Sequence, residues 1–516
     1  MRPRRVFDNQ RGLMGIIFLS SLFVNLLLLT APLYMLQLFT RVLSSGSVPT
    51  LLMLTIGAAI ALGFYFAFDS IRQLLMSRLG TRLEAELGPV ILGGIVRETE
   101  IAERHGAQPI QDLQDLRGFL TSPYFTALLD APWAIVFVAV IFMFHPVLGV
   151  VAVIGVSILF ALGVISEFSG RSATKAASET TNSATMAAEE ILRNSDVARA
   201  MGGTPALIER WQRQSLKALG YGARSTDRVA IMSSLAKTVR LFLQIAVLGV
   251  GVVLVLRGEI GPGVMIAASI LLGRAAAPVE QSVAGWRALM QARLNVARLN
   301  AVLATLEVED SRFELPRPEG RLDVEHGTVI FPGVQDPILF DVTFSLPAGA
   351  SLGLIGPSGA GKTTLARALV GLQPLARGHV RIDDADLREW PSWQIGRYVG
   401  FLPQRVELFG GTVAQNIALM DEEADPAMVI EAAKRACVHD LILGLPNGYN
   451  TEVGPRGEHL SAGQRQRIGL ARAFFGDRRL IVLDEPNANL DPAGEEALAA
   501  AVANATAKGA VVVLVQ

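Results

Sequence analysis

The sequence predicts a chain of two domains, an α-helical domain of membrane-spanning segments followed by an α/β domain. Three observations lead to this prediction. Of the 516 residues, 51% are hydrophobic and 18% are charged, whereas soluble domains carry about 25% charged residues. Long uncharged stretches lie before residue 310. Beyond that point short β-rich runs alternate with helical stretches, as in an α/β domain.

Six stretches of the first domain are apolar enough to span a membrane as helices, which needs about 20 residues each. An Arg lies inside the sixth stretch, at Arg274. Arg274, Asn25 and Gln37 are candidates for lining a transport path, with polar pairing between helices as the alternative. The predicted spans are 12–40, 42–68, two helices within 131–166 that meet at His145-Pro146, 241–256 and 264–283.

The connections between the spans alternate in length and charge. The connections 41–50, 144–147 and 257–263 are short, whereas 69–130 and 167–240 are long and rich in Arg and Lys. Together with the basic N-terminus, this bias places the N-terminus and both long segments in the cytoplasm. The first apolar stretch is too long for a secretory signal peptide and has no cleavage site, so we expect a membrane anchor.

One segment of the first long connection is a candidate for a short helix that crosses the ends of the spans. It covers 116–129 and is bounded by Pro123 and Pro132. The alternative is an ordinary amphipathic helix turn. A crossing helix would pass movements of the second domain to the spans.

The domain boundaries follow from composition. The membrane domain is predicted at 1–306, a charged linker containing prolines at 307–320, and the α/β domain at 321–516. A buried, largely parallel sheet is expected from the apolar runs 350–355, 380–382, 399–402, 480–483 and 510–515. The net charge of −1 argues against nucleic acid as the partner, because no basic excess is available for phosphates. Cys437, the single cysteine, is expected to be a reduced thiol.

A glycine-rich phosphate-binding loop occupies 356–364. It follows an apolar run and precedes a helical stretch at 365–370, the context that a P-loop requires. Backbone N–H groups and the helix N-terminus bind phosphate, Lys362 reaches the β- and γ-phosphates, and Thr363 ligates Mg²⁺. A chance glycine-rich turn is the alternative. The predicted ATP-binding residues are Gly356, Ser358, Gly359, Ala360, Gly361, Lys362, Thr363 and Thr364.

A buried strand at 480–483 ends in two acids, Asp484 and Glu485. Such an ending is common in proteins, but downstream of a P-loop it indicates a hydrolytic site. Asp484 would bind Mg²⁺ through water, and Glu485 would orient or deprotonate the attacking water.

Between these two motifs lies Leu-Ser-Ala-Gly-Gln-Arg-Gln-Arg at 460–467. The segment resembles the signature sequence of ATP-binding cassettes, and the resemblance extends over the whole second domain. It implies that Ser461, Gly463 and Gln464 hold the γ-phosphate of ATP bound to the other cassette of a dimer. Since this chain has one cassette and six spans, the resemblance implies a homodimer.

Four further positions resemble family motifs. The resemblance implies that Gln404 senses Mg²⁺ and touches the membrane domain, and that the loop 451–454 lies against crossing helices. It also implies that Asp491 lies in a loop that crosses to the partner cassette. Phe331 stands where an aromatic ring stacks on adenine, with a buried strand phenylalanine as the alternative.

The cassette departs from the family pattern in two places. Ala462 replaces the usual first glycine of the signature, and its methyl group is expected to be tolerated, with an effect on dimer closure. The family places a switch histidine one or two residues beyond the strand 511–515. The given sequence ends at Gln516, so that histidine is expected in a longer chain.

Two stretches, 116–133 and 484–491 (Asp-Glu-Pro-Asn-Ala-Asn-Leu-Asp), resemble the ATP-binding permease of bacterial type I protein secretion, in the branch that exports proteases, lipases and S-layer proteins. The resemblance implies a type I exporter fold in the inner membrane and an unfolded protein cargo with a C-terminal signal. It also implies a periplasmic adaptor protein and an outer-membrane channel as partners.

Two alternatives remain at this point. An exporter of lipids or small amphiphiles would have the same domains but would be stimulated by amphiphiles. A membrane-anchored regulator would bind ATP as a gate and hydrolyse little of it, although Glu485 favours hydrolysis.

Overall fold

A computed structural model describes residues 6–7, 10–97, 106–306, 314–331, 334, 336–488, 490 and 492–516. The chain divides into two compact units, Met1–Glu307 and Val308–Gln516. Each unit has hydrophobic cores of its own. Of the predicted linker, 307–313 lies outside the described residues, and 314–320 forms neither helix nor strand.

Six helical segments among the described residues of the first unit are long and apolar enough to cross a membrane, so the predicted fold class is confirmed. Helices that are apolar on most sides can be buried only by neighbouring helices or by lipid. The segments are Arg11–Ser45, Val48–Val96, Pro123–Phe144, Pro146–Ser166, Thr204–Leu256 and Pro262–Ala284.

The first span is irregular. It consists of α1 (Arg11–Leu27), α2 (Thr30–Gln37), a π-helical turn (Leu38–Val42) and a last turn (Leu43–Ser45). The prediction of a short loop at 41–50 is wrong, because helix continues to Ser45 and resumes at Val48. The reversal is confined to Gly46 and Ser47, and Gly46 adopts a φ of 61° that suits glycine.

The second span belongs to a single long helix, α3 (Val48–Arg97). The prediction of one crossing helix over 116–129 is wrong, because α4 (Gln108–Leu120) ends before Ser122 and α5 (Pro123–Asp130) begins after it. The Ser122 side chain accepts the N–H of Phe125 as an N-cap. Proline at the first position then starts a new helix. A single 3₁₀ turn, Ala131–Trp133, leads into α6 (Ala134–Phe144).

The helices of the fourth and fifth spans, with 48 and 53 residues, extend well beyond a bilayer's thickness. Helix α7 (Pro146–Arg193) is capped by His145, whose ring nitrogen accepts the N–H of Val147. The short helix α8 (Ser195–Ala200) connects it to α9 (Thr204–Leu256). The sixth span, α10 (Pro262–Ala284), is followed by α11 (Trp286–Leu306).

Two hydrophobic cores stabilise this unit. The first lies between α6, α7, α9 and α10 and includes Phe137, Leu148, Val247 and Leu271. The second lies between α1, α3, α4, α5 and α11 and includes Met76, Leu113 and Leu299.

Asp130 is the centre of a polar cluster that joins the helices of the first three spans. One of its carboxylate oxygens, Oδ1, accepts hydrogen bonds from Ser21, from Asn25 at 2.7 Å and from Arg72 at 2.8 Å. Arg72 also contacts Asp69 at 2.6 Å. Asn25 is therefore engaged in interhelical pairing rather than facing an open path, whereas Gln37 keeps a buried Oε1 without a hydrogen-bond partner among the described residues.

The described residues of the second unit form two four-stranded sheets. The parallel sheet has the order β3 (Ser351–Leu354), β8 (Val511–Val515), β7 (Leu480–Asp484), β6 (Val399–Leu402). The apolar run at 380–382 does not join it, contrary to the prediction. It belongs to an antiparallel sheet of β2 (Leu339–Leu346), β1 (Leu322–Val329), β4 (Arg377–Ile382) and β5 (Ala385–Asp386).

Seven helices of the second unit pack around the sheets among the described residues. The core on one face of the parallel sheet includes Ile481, Leu483 and Val512, and the core on the other includes Leu480, Val482 and Val513. Alternation of side chains along each strand produces these two faces. The helices are α12 (Lys362–Leu369), α13 (Ser392–Tyr398), α14 (Val413–Ile417), α15 (Pro426–Arg435), α16 (His439–Leu443), α17 (Ala462–Ala473) and α18 (Pro492–Ala507).

Candidate functional site

The phosphate-binding loop connects β3 to α12. Gly359 and Gly361 adopt φ values of 84° and 86°, which L side chains rarely tolerate. A Cβ at Gly361 would lie 2.8 Å from Leu339 Cδ2 and 3.1 Å from the Ile338 carbonyl oxygen. Glycine is therefore required here both for the turn and for the approach of the neighbouring strand. The turn leaves the first N–H groups of α12 for an anion.

The Lys362 side chain is held over this loop by carbonyl groups of the loop backbone. The Nζ donates to the carbonyl oxygens of Gly356 at 2.6 Å and Pro357 at 3.0 Å. These contacts keep the ammonium beside the loop's N–H groups, where it can neutralise phosphate.

Strand order brings Thr363 and Asp484 together. Strands β3 and β7 are parallel and are separated only by β8, so their carboxyl ends lie at one edge of the sheet. The Thr363 hydroxyl donates to Asp484 Oδ1 at 3.3 Å. Hydroxyl and carboxylate oxygens are the ligands that Mg²⁺ prefers.

The Asp484 carboxylate is buried, and one of its oxygens lacks a hydrogen-bond partner among the described residues. Asp484 is 1% exposed, and its Oδ2 has no hydrogen-bond partner within the described part of the chain. Burial raises the pKa of this carboxyl above its usual value, and the negative charge of Glu485 raises it further. The Thr363 hydroxyl and the charges of Arg367 and Lys362 oppose the rise. A buried acid with an unpartnered oxygen fits a divalent cation, which would satisfy that oxygen and offset the cost of burying the charge.

Glu485 follows the strand in a strained conformation. Its φ is 49°, and its N–H donates to the Val515 carbonyl at 2.9 Å. Because of this turn, the Glu485 side chain does not continue the alternating directions of the side chains on the strand. Backbone strain of this kind often occurs at functional sites.

Gln466 supports this turn, and sequence reasoning did not single it out. Its side chain is buried and directs Nε2 at the carbonyl oxygens of Glu485, at 3.4 Å, and Pro486, at 3.5 Å. Gln466 lies on the signature helix α17, so one side chain ties that helix to the hydrolytic strand end. Its place inside the 460–467 motif was the available signal.

Ser461 starts the signature helix with a reciprocal cap. Its hydroxyl accepts the N–H of Gln464, and the Gln464 side chain accepts the N–H of Ser461 at 2.9 Å. This capping box fixes the first turn. Ala462 and Gly463 are the first helical residues, and Ala462 is exposed, so its methyl group is accommodated within this chain.

The Gln404 loop follows β6. Gln404 is exposed, and it lines a cavity of about 710 Å³ together with Arg456, Ala462 and Gln466. The structure therefore brings Gln404 to the signature helix. No hydrogen bond from its side chain to Asp484 occurs among the described residues.

Arg472 joins the far end of the signature helix to the segment after Gln404, and sequence reasoning missed it. The guanidinium donates to the carbonyl oxygens of Asn416 at 2.9 Å and Glu407 at 3.1 Å. It also lies 5.4 Å from the centre of the Phe409 ring. Burial lowers the pKa of Arg472 below its usual value.

The structure gives fewer contacts for the other predicted site residues, Phe331, the loop 451–454 and Asp491. Phe331 is half-buried and lies two residues beyond Val329, whose carbonyl accepts the N–H of Ile338. Because Ile338 contacts Gly361, this hairpin end adjoins the phosphate-binding loop. The loop 451–454 is held by the N–H of Val453, which donates to Gly411 at 2.9 Å. Asp491 lies outside the described residues.

Comparisons with known proteins agree with this arrangement. A family model described as "ABC transporter" matches residues 339–488, and one described as "ABC transporter transmembrane region" matches residues 14–274. The fold resembles that of a solved bacterial Atm1-family ABC exporter with ATP bound, with a TM-score of 0.84, 98% of this chain and 91% of that chain covered, and 20% identity. A P-loop ATPase unit with a signature helix that follows six spanning helices in the chain defines an ATP-binding-cassette exporter.

Proteins of similar sequence indicate which group of ABC transporters the chain belongs to. The type I secretion system ATP-binding protein PrsD of Rhizobium meliloti is 42% identical over 96% of this chain and 86% of its own length. The cyclolysin secretion/processing protein CyaB of Bordetella pertussis is 29% identical over 93% of this chain and 68% of its own length. The leukotoxin translocation protein LktB of Mannheimia haemolytica is 29% identical over 92% of this chain and 68% of its own length. The chain belongs to the ABC transporter family, among the type I secretion ATP-binding proteins, and is an ATPase that powers transport across a membrane.

Proposed function

We propose that this protein exports unfolded polypeptides with a C-terminal signal across the bacterial inner membrane, as a homodimer that hydrolyses ATP. The observation that carries the proposal is the 42% identity to a type I secretion ATP-binding protein along 96% of this chain. The names of two further relatives refer to export of cyclolysin and leukotoxin. A type I secretion system also supplies the proposed partners, a periplasmic adaptor and an outer-membrane channel.

The proposed orientation places the N-terminus, the long helical extensions and the ATPase unit in the cytoplasm. The Arg- and Lys-rich composition of 69–130 and 167–240 supports it, because positive residues flank spans on the cytoplasmic side. The short reversals at Gly46-Ser47, His145 and 257–261 would then face the periplasm.

In the proposed mechanism, Thr363, Asp484 and Gln404 hold Mg²⁺, which neutralises phosphate charge when bound. The buried, unpartnered Asp484 Oδ2 supports this assignment. Lys362 and the N–H groups around Gly359 and Gly361 hold the β- and γ-phosphates.

Glu485 is the proposed general base, which orients the attacking water and accepts its proton. Ser461 and Gly463 of a second copy would complete the site over the γ-phosphate, and Asp491 would lie at the same interface. Phe331 would stack on the adenine. ATP would then form part of the dimer interface, so that binding closes the dimer and hydrolysis reopens it.

The test is secretion in a cell. The full-length protein is expressed with an adaptor, an outer-membrane channel and a protease that carries a C-terminal signal, and the protease is assayed in the medium. Glu485→Gln is the paired variant and should abolish export while retaining ATP binding.

Signal-dependent export that is lost in Glu485→Gln would support both the cargo class and the role of Glu485. ATP hydrolysis that is stimulated by small amphiphiles, with no protein export, would indicate that the cargo is a lipid or a small amphiphile. Export that persists unchanged in Glu485→Gln would contradict the catalytic assignment.

A further inference from the structure

The sixth span, α10, differs from the other spans in what it exposes. Half of its most apolar stretch is buried inside the chain, more than in any other span. Every other span exposes large hydrophobic side chains, such as Phe66, Met143 and Ile245, but none is exposed between residues 262 and 284, all of which are described. Helix faces that contact lipid expose large apolar side chains, whereas those on α10, such as Ile266 and Ile270, are at least half-buried.

Arg274 and several accessible neighbours lie on one face of α10, whereas Val264, Met265 and Ser282 are half-buried on other faces. Arg274 and Gln281 are exposed, and Ile270, Gly273 and Ala277 are half-buried. Spacings of three, four and seven residues put these side chains on one face of the helix. A Cβ at Gly273 would have no neighbour within 4 Å, so the surface around Arg274 is open within this chain.

Arg274 lies in the middle of the span. It stands 12 residues after Pro262 and 10 before Ala284, the ends of α10, which corresponds to about 15–18 Å of helix on either side. This separation is too long for the guanidinium to reach a membrane surface by snorkelling. A charged group at this depth faces water or protein, and it marks an ion or substrate path by default.

Arg274 also lacks the partners that other charged groups near the spans have. Arg72 contacts Asp69 and Asp130, and Arg240 contacts Glu280. Within the described part of the chain, Arg274 forms no hydrogen bond or ion pair. Its five N–H donors therefore remain for a group outside this chain.

We infer that Arg274 lines the export path and binds carboxylates of the polypeptide that passes through it, so that the exporter favours acidic segments. The inference rests on the proposed function. A guanidinium binds a carboxylate through two parallel hydrogen bonds, and the small neighbours Gly273 and Ala277 leave room for a chain to approach. Every polypeptide supplies a terminal carboxylate, and acidic segments supply more.

The first test measures whether position 274 faces water. The single cysteine, Cys437, is replaced by serine, and Arg274→Cys is compared with Ile245→Cys, which lies on an exposed face of the fifth span. A charged, water-soluble thiol reagent should modify position 274 in membranes and leave position 245 unmodified. Equal protection of both positions would overturn the inference, and this is the result expected if a second copy's acid covers Arg274.

The second test measures preference for acidic cargo. Two unfolded peptides of equal length carry the same C-terminal signal, one rich in Asp and Glu and the other with Asn and Gln in their place. ATPase stimulation of the full protein in vesicles should reach half-maximum at about tenfold lower concentration of the acidic peptide, because one charge-assisted contact supplies such a factor. Arg274→Gln should abolish the difference, and Arg274→Lys should keep part of it.

Arg257→Gln is the matched control, since Arg257 is exposed in the connection outside the span, and it should keep the full difference. Equal stimulation of the wild-type protein by both peptides would overturn the inference and leave the proposed function standing. Stimulation by neither peptide, with amphiphiles active instead, would overturn both.

Discussion

At the scale of single residues, the nucleotide site depends on backbone conformations that few side chains adopt. Gly359 and Gly361 lie in the left-handed region, where an L side chain costs about 1–2 kcal/mol. Glu485 adopts the same region with a side chain, and contacts from Gln466 and Val515 to its backbone hold it there. The site therefore accepts strain at the position that the proposed chemistry uses.

Gly361→Ala should weaken ATP binding and lower stability. The added methyl group meets Leu339 and the Ile338 carbonyl in addition to the unfavourable φ, so we expect a loss of about 2 kcal/mol or more in unfolding free energy. Binding of a fluorescent ATP analogue and thermal unfolding of the purified protein measure both effects.

Gly396→Ala is the control for this variant. Gly396 lies inside α13 with nothing within 4 Å of an added Cβ, and alanine stabilises helices relative to glycine by up to about 1 kcal/mol. Equal losses in the two variants would contradict a specific requirement for glycine at 361.

Mg²⁺-dependent nucleotide binding should weaken as pH falls. Burial raises the pKa of Asp484, so the carboxyl keeps its proton to a higher pH than a free aspartate. Mg²⁺ requires the ionised form, and its affinity should be full above the raised pKa and decline as pH drops through it. Without the metal, ionisation of this buried acid opposes folding, so its contribution to stability decreases as pH rises.

The measurement is the affinity for a fluorescent ADP analogue between pH 5 and pH 8, with Mg²⁺ and with EDTA. Asp484→Asn should remove the pH-dependent part of the Mg²⁺ effect. An unchanged pH profile in that variant would assign the titration to another group.

At the scale of secondary-structure elements, the signature helix α17 connects the parts of the site. Its start is fixed by the capping box of Ser461 and Gln464, its middle supports Glu485 through Gln466, and its end holds the Gln404 segment through Arg472. A shift of this helix would therefore change the hydrolytic strand end and the Gln404 loop together.

Ser461 variants should separate helix stability from turnover. Ser461→Ala removes the cap and should cost about 1 kcal/mol of stability as well as ATP hydrolysis. Ser461→Asp retains a capping oxygen and should recover stability, but its charge repels the γ-phosphate and hydrolysis should stay low. Thermal unfolding and steady-state ATPase activity are measured side by side.

Asp425→Ala provides the matched control. Asp425 caps α15 by accepting the N–H of Ala427 at 2.8 Å, away from the proposed phosphate contacts. This variant should lose similar stability and keep its turnover per folded molecule. Recovered hydrolysis in Ser461→Asp would contradict the proposed contact of Ser461 with phosphate.

At the scale of the whole molecule, an ion pair on a buried carboxylate joins elements that are distant in sequence. In the membrane unit, Arg298 of α11 forms two 2.7 Å hydrogen bonds with Asp112 of α4, one to each carboxylate oxygen. Asp112 is 2% exposed, and Asn295 is fully buried beside it. Nearby, burial and the charge of Asp112 raise the pKa of Asp115, so this corner of the unit is sensitive to the loss of its cation.

Arg298→Ala should destabilise the protein by about 3 kcal/mol, because it leaves the Asp112 carboxylate buried without a counter-charge. The double variant Arg298→Leu with Asp112→Asn should recover part of this loss. Thermal unfolding in detergent gives the comparison. Arg193→Ala, which breaks an exposed pair with Glu189, should change stability by less than about 0.5 kcal/mol, and an equal effect of both single variants would contradict a role for burial.

The sequence was sufficient for several features that depend on neighbouring residues, although the local helix break at Ser122 was not predicted. Runs of apolar residues predict spans because each must exceed the thickness of a bilayer, and six were found. The P-loop was predicted at 356–364 from its glycine spacing, but the helix after it begins at Lys362, three residues before the predicted start, and the strand before it ends at Leu354. The resemblance supplied the family, which the 42% identical relative confirms.

Tertiary structure decided what depends on distant residues. Apolar runs do not reveal their partners, so the antiparallel sheet containing β4 was not predicted. Asn25 could have lined a path, but Asp130, more than 100 positions away, accepts its hydrogen bond. Gln466 and Arg472 acquire roles only through the carbonyl oxygens that folding brings to them. The sequence placed an arginine in the sixth span, and only packing showed that no large apolar side chain is exposed on that helix.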